Sequence, residues 1–372
     1  MSAVISYACP IAKVERMKVQ LVPGQQLTAD LCAQWDEIQR SNPALSSPYF
    51  RPEFTQTVAA VRKDVEVAVI ENENGIAGFF PFQRNGWSSA RPVAGRLSDF
   101  QAVITRPEVV IEPLQLLRGM RARSWRFDHL LCSQTEFKPY MWTTAASPFI
   151  DLSAGYAAYL AERKAASSEI ATAERKLRKL EREVGPLRLE WQCRDEVALE
   201  TLLRWKSEQY LRTGLRDLFS FDWIRAFVSQ LMTQDTPGFR GLLACLYAGD
   251  RLAAAHLGMA SHHSLHWWFP SYDRDLGKYS PGMGLILKIA EEAAAQGLTR
   301  IDFGKGDEDY KVKLASGCDQ VAEGSVDLHL SSRMFQRTWQ ATRDWVKASP
   351  LHGPTQVPLK WIRRMRDWLS FR

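Results

Sequence analysis

A glycine-bearing helix start in the last third of the chain constrains the fold more than any other feature. The run 280–284 (SPGMG) offers Ser280 as an N-cap, followed by a proline that suits the first helical position. Apolar residues then recur at helical spacing until Gly297, and residues 299–303 alternate as a short strand. Glycines at a helix N-terminus leave backbone N–H groups uncovered, so this segment predicts a phosphate-binding loop.

An internal repeat adds a second constraint. Residues 68–76 (AVIENENGI) and 244–252 (ACLYAGDRL) share a strand–turn–strand spacing, and each follows two predicted helices. The repeat predicts a duplicated α/β (α+β) unit, with a mixed central sheet flanked by helices in each copy. Only the second copy continues into the glycine-bearing helix start, so we expect the second copy to bind a phosphate-bearing ligand.

These patterns divide the chain into five predicted segments. They are an N-terminal extension (1–24), a degenerate first domain (25–150), a connecting helix (151–190), a ligand-binding second domain (191–330) and a basic, Trp-rich tail (331–372). Within the connecting segment we predict one long helix over 156–184. Its basic cluster 175–179 (RKLRK) is expected to be a solvated face, with an anion site as the alternative.

Composition excludes several classes of protein. The six cysteines are scattered without a C-x-x-C pair, which argues against a zinc site or a disulfide framework and favours a reducing compartment. His262, His263 and His266 have no carboxylate at metal-ligand spacing, so no metal is expected. The net charge is +6, whereas the tail holds nine Lys/Arg against two Asp, which is +7. The rest of the chain therefore sums to −1, and nucleic-acid binding is not expected.

Several short motifs carry a family resemblance over roughly residues 25–330. Their order resembles the GNAT acyltransferase fold, and the motifs themselves look like the CelD/BcsL group of GNAT-like acetyltransferases. The motifs are Tyr279-Ser280-Pro281-Gly282, Asp302-Phe303-Gly304, Tyr310-Lys311, Ser47-Pro48-Tyr49-Phe50 and Leu97-Ser98-Asp99-Phe100. The resemblance implies two tandem GNAT-like domains, distantly related to Fem-type peptidyltransferases, and an acyl-CoA donor. One departure is Tyr279, which stands where typical GNATs place Arg or Gln for the pyrophosphate.

Acyl transfer from a thioester requires removal of a proton from the acceptor, stabilisation of the carbonyl oxygen and release of a thiolate. Asp302 is predicted to act as the base or to orient the acceptor, and His256 is a second candidate base whose alternative is a satisfied core histidine. By resemblance, Tyr310 protonates the thiolate, and its alternative is a surface aromatic. Lys311 is predicted to bind a phosphate or a sugar acid, and its alternative is a solvated lysine.

Two further sets of residues are predicted to bind the substrates. Resemblance and the glycine pattern together assign the donor, acetyl-CoA or another acyl-CoA, to Trp268, Phe269, Tyr279, Ser280, Pro281, Gly282, Met283 and Gly284. The acceptor is assigned to Asp99, Asp307 and Glu308, whose carboxylates suit an amino sugar. The alternative for the aromatic residues is core packing.

The predicted function is therefore N- or O-acetylation of a sugar or lipid-linked glycan intermediate, which the resemblance places in bacterial exopolysaccharide or cellulose production. Alternatives are a Fem-like transferase that uses aminoacyl-tRNA and a non-catalytic scaffold of a polysaccharide assembly. A cytoplasmic location is expected because the scattered cysteines favour a reducing compartment, and no membrane span is expected because no run of about 18 apolar residues occurs. Residues 360–371 (KWIRRMRDWLSF) form a predicted basic amphipathic helix that suits an anionic membrane surface, with packing on the protein as the alternative.

Overall fold

The structure is a computed structural model that describes residues 17–86 and 88–329. Most of the predicted N-terminal extension and the predicted membrane-binding helix at 360–371 lie outside these residues. Within the described ranges, no helix has both the length and the apolar character that a membrane crossing requires.

The described strands form one mixed sheet. Its order is β1-β2-β3-β4-β6-β14-β7-β13-β12-β11-β10-β8, with β5 beside β3 and β9 beside β10. The strands are β1 (Lys18–Pro23), β2 (Val65–Asn72), β3 (Gly75–Asn85), β4 (Ser89–Arg91), β5 (Ile104–Thr105), β6 (Ser124–Leu131), β7 (Met141–Asp151), β8 (Leu187–Glu190), β9 (Asp235–Thr236), β10 (Phe239–Ala248), β11 (Arg251–Ser261), β12 (Ser264–Tyr272), β13 (Arg300–Asp302) and β14 (Gly317–Asp327).

Helices cover both faces of this sheet. They are α1 (Ala29–Ser41), α2 (Pro52–Val61), α3 (Pro113–Gly119), α4 (Tyr156–Ala166), α5 (Glu169–Glu183), α6 (Glu196–Arg212), α7 (Asp222–Met232), α8 (Pro281–Ala295) and α9 (Asp309–Leu314). The first core lies between one face of the sheet and α1, α2, α6 and α7. The second core lies on the opposite face, in the second half, beneath α4, α5 and α8. A third core lies beneath α3 in the first half.

The predicted repeat is present. β2 and β3 form an antiparallel hairpin after α1 and α2, and β10 and β11 form one after α6 and α7. A parallel pair follows in each half, β4 with β6 and β12 with β13. These matching elements confirm a mixed α/β architecture built from two similar halves.

The two halves exchange strands at their junction. β7, from the end of the first half, pairs with β13, whereas β14, from the end of the second half, lies between β6 and β7. The sequence did not predict β7 or β14 because polar residues interrupt their apolar pattern. The sequence analysis also missed β1, which lies inside the segment predicted as an N-terminal extension. β1 pairs with β2.

The predicted long helix over 156–184 is wrong in one respect. It is two helices, α4 and α5, separated at Ser167–Ser168, where Ser167 adopts an extended backbone. In α5, Leu177 and Leu180 are buried, whereas Arg175, Arg178 and Lys179 are exposed. Gly185, with a φ of 153°, follows the end of α5.

A buried ionic network also joins the halves. The Arg51 guanidinium in the first half donates to Asp36, Gln39 and Glu53. His262, in the turn between β11 and β12, places Nε2 3.1 Å from Asp36 Oδ1 and 3.2 Å from Arg51 Nη1. The Arg51 side chain is only 4% exposed, so its charge depends on these partners.

Candidate functional site

The site lies where two parallel strands separate. β12 and β13 pair only through Ser264–Arg300, Leu265–Ile301 and His266–Asp302. β12 continues to Tyr272, whereas β13 ends at Asp302 and the chain turns away through Gly304, whose φ is 68°. The gap opens at the carboxyl ends of parallel strands, where ligands commonly bind in α/β sheets.

The start of α8 borders this gap on one side. Pro281 occupies the first helical position as predicted, but the Ser280 side chain does not cap the helix. Ser280 instead has a left-handed backbone, with a φ of 51°, and its carbonyl accepts the N–H groups of Met283 and Gly284. The Gly282 N–H has no partner among the described residues, which leaves one donor at the positive end of the helix.

A lysine of α5 reaches the same helix start. Lys176 Nζ donates to Ser280 Oγ at 2.8 Å, because α5 packs against both α8 and the turn at 274–279. The predicted basic cluster therefore places at least one charge at the glycine loop and is not only a solvated face.

Two residues assigned to the donor have other roles. Tyr279 is buried, and its hydroxyl donates to Glu183 Oε2 at 2.7 Å, so it faces α5 and does not face the gap. Gly284 is required for packing, because a Cβ there would lie 2.9 Å from Leu177 Cγ and closer still to Leu177 Cδ2. Gly282 differs, because a Cβ there would make only an ordinary contact, 3.5 Å from Tyr272 Cδ1.

The aromatic residues of β12 pack on both faces of the sheet. Trp268 and Phe269 are consecutive, yet both pack against the first core, because the register with β11 is irregular between Leu257 and Met259. The Trp268 ring stacks on Phe269 at 4.4 Å and meets Tyr49 edge-on at 6.0 Å. Phe269 is buried, whereas Trp268 remains partly exposed and is the one of the two that can contact a ligand.

Acidic and histidine side chains converge on the other side of the gap. His266 Nε2 lies 2.9 Å from Asp99 Oδ2, and the Tyr49 ring meets the imidazole edge-on at 4.9 Å. Burial opposes ionisation of Asp99, but the hydrogen bond from His266, helped by the charge of Lys311, outweighs it and holds the pKa of Asp99 below its usual value. Asp99 and Tyr49 come from the first half, so the site is shared between the halves.

Asp302 lies on the same face of the sheet as His266 and is held by a cation. It is 2% exposed, and its Oδ1 accepts a hydrogen bond from Arg300 Nε at 2.6 Å. Burial raises the pKa of Asp302 even though Arg300 opposes the change. A carboxylate with a raised pKa is typical of proton-transfer sites, but the contact with Arg300 occupies one of its oxygens.

His256 is unsuited to act as a base. It is fully buried, stacks on Trp267 at a centroid distance of 4.3 Å, and its Nε2 accepts the Trp268 N–H at 3.1 Å. Burial, with a smaller effect of His266, lowers the pKa of His256 to about 3. The lone pair of Nε2 is therefore used in the hydrogen bond with the backbone. His256 fits the alternative prediction of a core histidine better than that of a base.

The segment after β13 contains the remaining predicted residues. Lys311 is 7% exposed, and its Nζ donates to the Lys305 carbonyl at 3.2 Å and pairs with Glu308 Oε2 at 2.9 Å, so it holds the loop in place. Glu308 and Asp307 are exposed at the rim. Burial, followed by the charge of Glu308, raises the pKa of Tyr310 to about 12, and its ring packs edge-on against Phe303.

Sequence reasoning missed a buried lysine on α6. Lys206 is 8% exposed, and its Nζ donates to Gln209 Oε1 at 3.0 Å and lies 5.7 Å from the Tyr210 ring. Burial lowers the pKa of Lys206 to about 8, and the charge of Lys311 adds to this effect. The helical spacing with Leu199, Leu202 and Leu203 places Lys206 on the apolar stripe of α6, and this signal was readable in the sequence.

Comparison with known proteins supports the fold. The sequence profile of the family described as acetyltransferase (GNAT) domain matches residues 167–312. This range contains α8, His266, Asp302 and Tyr310, whereas Asp99 lies outside it. A comparison with curated proteins gives no match.

Solved structures resemble the chain at low identity. FemX is 10% identical with a TM-score of 0.55, and the alignment covers 86% of this chain and 99% of FemX. A conserved protein of unknown function from Bacteroides thetaiotaomicron is 10% identical with a TM-score of 0.52, over 79% of this chain and 97% of that chain. A tandem GNAT protein from the clavulanic acid biosynthesis pathway is 11% identical with a TM-score of 0.47, over 84% and 98%.

These findings define a class of fold. The chain has two halves with a similar order of elements that share one mixed sheet, and its second half contains the segment that matches the acetyltransferase (GNAT) domain. The narrower resemblance to the CelD/BcsL group stays a prediction, as do the domain boundaries.

Proposed function

We propose that the protein transfers an acyl group from acyl-CoA to an amine or hydroxyl of a sugar or glycan intermediate. The main support for this proposal is that β12 separates from β13 after three residue pairs. The gap has a helix N-terminus on one side and a buried group of titratable side chains on the other. The match of residues 167–312 to the acetyltransferase (GNAT) domain supports an acyl-CoA donor.

The residues around α8 fit a pyrophosphate group. Gly282 offers an unpartnered N–H at the positive end of the helix, and its missing side chain leaves room for close approach. Lys176 adds a positive charge beside Ser280. We assign the donor's pyrophosphate to Gly282 and Lys176, and we remove Tyr279 from that role because its hydroxyl is bonded to Glu183.

The groups proposed to act on the leaving thiolate and on the acceptor lie on opposite faces of the sheet. Tyr310 and Trp267 lie with the second core, on the face where α8 packs, which supports Tyr310 as the group that protonates the leaving thiolate. His266 and Asp302 lie on the opposite face with α6, so the acceptor approaches from that side. Asp302 and His266 are our candidates on that face for the group that takes its proton.

The acceptor side is polar and partly enclosed. Asp99, Glu308 and Asp307 offer carboxylates, and Lys206 and Tyr210 line it from α6. Such a mixture suits a hydroxyl-rich or amino sugar. A role in exopolysaccharide production in the bacterial cytoplasm is part of this proposal, with lipid-linked precursors reached through the helix predicted from the sequence of residues 360–371. Liposome binding by full-length protein and by a form ending at Pro350 tests the membrane contact.

Calorimetric titration with acetyl-CoA tests the donor. We expect the wild-type protein to bind, and Gly282→Val and Lys176→Met to bind about tenfold more weakly, the loss expected for one charge-assisted hydrogen bond. Gly277→Val is the matched control, because Gly277 lies in the preceding turn and a Cβ there is 3.9 Å from Tyr272 Cε2.

Two outcomes would contradict the proposal. If folded wild-type protein does not bind acetyl-CoA, the donor is wrong, and an aminoacyl-tRNA-dependent transferase or a non-catalytic scaffold becomes the better interpretation. If acetyl-CoA binds equally well to Gly282→Val, the pyrophosphate lies elsewhere.

A further inference from the structure

The hydrogen bond between Asp99 and His266 connects the two halves at the point where β12 and β13 separate. Asp99 lies on the loop that precedes β5, outside the segment that matches the GNAT domain, and its Oδ2 is 2.9 Å from His266 Nε2. An ionised carboxylate can only accept hydrogen bonds, so Nε2 carries the proton and donates it. The His266 side chain is fully buried, and the Asp99 side chain is 27% exposed.

The other ring nitrogen of His266, Nδ1, is not hydrogen-bonded to the described part of the protein. Nδ1 is buried and has no hydrogen-bond partner among the described residues. With the proton on Nε2, Nδ1 of the neutral ring presents a lone pair. Nδ1 of His256 is also buried without a partner, and His266 differs from it by lying at the last residue pair before β12 and β13 separate.

The loop after β13 closes tightly over the same edge of the ring. A Cβ at Gly304 would lie 3.0 Å from Asp99 Oδ2 and 3.3 Å from His266 Cε1, and the φ of 68° also favours glycine. Gly304 follows the last paired residue of β13 by two positions, so the covered imidazole edge lies beside the point where β12 and β13 separate. Asp302, the other candidate base, has its Oδ1 engaged by Arg300.

We infer that His266 accepts the proton of the acceptor at Nδ1 and that Asp99, from the first half, is the positioning residue that fixes its tautomer. This inference rests on the proposed acyl transfer. As the acceptor oxygen or nitrogen bonds to the thioester carbonyl carbon, its proton passes to Nδ1. The C–S bond then breaks, and the thiolate takes a proton from Tyr310. The imidazolium returns its proton through solvent to Tyr310, so atoms and charges balance. The Asp99 carboxylate stabilises the imidazolium while it exists.

The tautomer of His266 tests the inference without any acceptor. Long-range ¹H–¹⁵N spectra of full-length protein labelled in histidine, assigned with His266→Gln, report which ring nitrogen is protonated. We expect the Nε2–H form at neutral pH in wild-type protein and a shift toward the Nδ1–H form in Asp99→Asn, whose amide can donate to Nε2. Asp36→Asn is the matched control, because Asp36 contacts a different histidine, His262, at 3.1 Å. An Nδ1–H form in the wild type would overturn the inference.

Release of CoA from acetyl-CoA, with water as the acceptor, supplies a kinetic test. Asp99→Asn and His266→Gln should lower kcat on the order of 10²-fold or more, with KM for acetyl-CoA within about twofold. The acid limb of the wild-type pH profile should disappear in His266→Gln. The titratable groups that face His266 are Asp99, Tyr49, Asp302 and His256, so Asp302→Asn is included to show which of them sets that limb.

The outcomes separate this inference from the proposed function. If acetyl-CoA binds but Asp99→Asn keeps the wild-type rate and pH profile, the dyad is not catalytic and the proposed function survives. If acetyl-CoA does not bind, the proposed function fails and the inferred proton transfer fails with it. An acid limb that moves only in Asp302→Asn would give the role of base to Asp302 and overturn the inference.

Discussion

The charge on Lys206 is predicted to destabilise the folded chain at neutral pH, and Lys206→Met tests this directly. The side chain is 8% exposed, with Gln209 Oε1 as the hydrogen-bond partner of its ammonium group and no carboxylate partner within the described part of the chain. Burial lowers the pKa of Lys206 from 10.5 to about 8, with a further effect from Lys311. A buried cation without a counter-ion opposes folding.

The magnitude follows from the two pKa values. A pKa that falls from 10.5 to about 8 corresponds to about 3 kcal/mol against the folded state. Below pH 8 both states hold the proton, so the full penalty is present at pH 7. Between pH 8 and 10.5 the unfolded chain binds more protons than the folded chain, so stability rises with pH, and above pH 10.5 the penalty is gone. Methionine also loses the Gln209 hydrogen bond and the contact with Tyr210, about 1 kcal/mol together.

Urea unfolding of full-length protein measures the effect. We expect Lys206→Met to be more stable than the wild type by about 2 kcal/mol at pH 7, with the difference shrinking steadily as pH approaches 10. Lys288→Met is the control, because Lys288 is 42% exposed and pairs with Glu291 on the surface of α8, so little change is expected. A less stable Lys206→Met at pH 7, or a gain that does not depend on pH, would refute the reasoning.

Three further predictions concern packing and pH. Gly284→Ala should cost about 1–3 kcal/mol in urea unfolding because its methyl group meets Leu177, whereas Gly282→Ala should change stability little; equal effects would contradict this account. Arg51→Met should cost about 3 kcal/mol or more because it leaves its acidic partners unpaired, and a neutral result would show that the network contributes nothing. His256→Gln should flatten the rise of thermal stability between pH 3 and 6.5, where the unfolded chain binds more protons than the folded chain; an unchanged profile would argue against a neutral buried His256.

Local patterns predicted much of the fold. The two hairpins and most of the helices could be predicted because apolar periodicity, turn residues and helix ends are local signals. β7 and β14 could not, since their pattern is broken by polar residues and their partners lie far along the chain. The break between α4 and α5 was missed because Ser167 and Ser168 interrupt a helical composition only briefly.

The sequence identified individual residues of the site but did not show which of them contact one another. Asp99 and Asp302 were singled out separately, yet nothing in the sequence indicated that Asp99 would meet His266, which is 167 positions away. His256 looked like a base because it interrupts an apolar strand, but the same burial that isolates it removes its basicity. Motif spacing did not show that the Tyr279 hydroxyl bonds to Glu183 or that Leu177 packs against Gly284.

The position of β14 also has a consequence for how the protein is made. Residues of β6 pair with residues of β14 that leave the ribosome much later, as Leu131 with Val321 illustrates. At about 5–20 residues per second, that edge of β6 waits about 10 to 40 s for its partner. During this interval the nascent first half presents an open strand edge, the kind of surface that recruits other chains. The first half therefore completes its sheet only after nearly all of the second half has been synthesised.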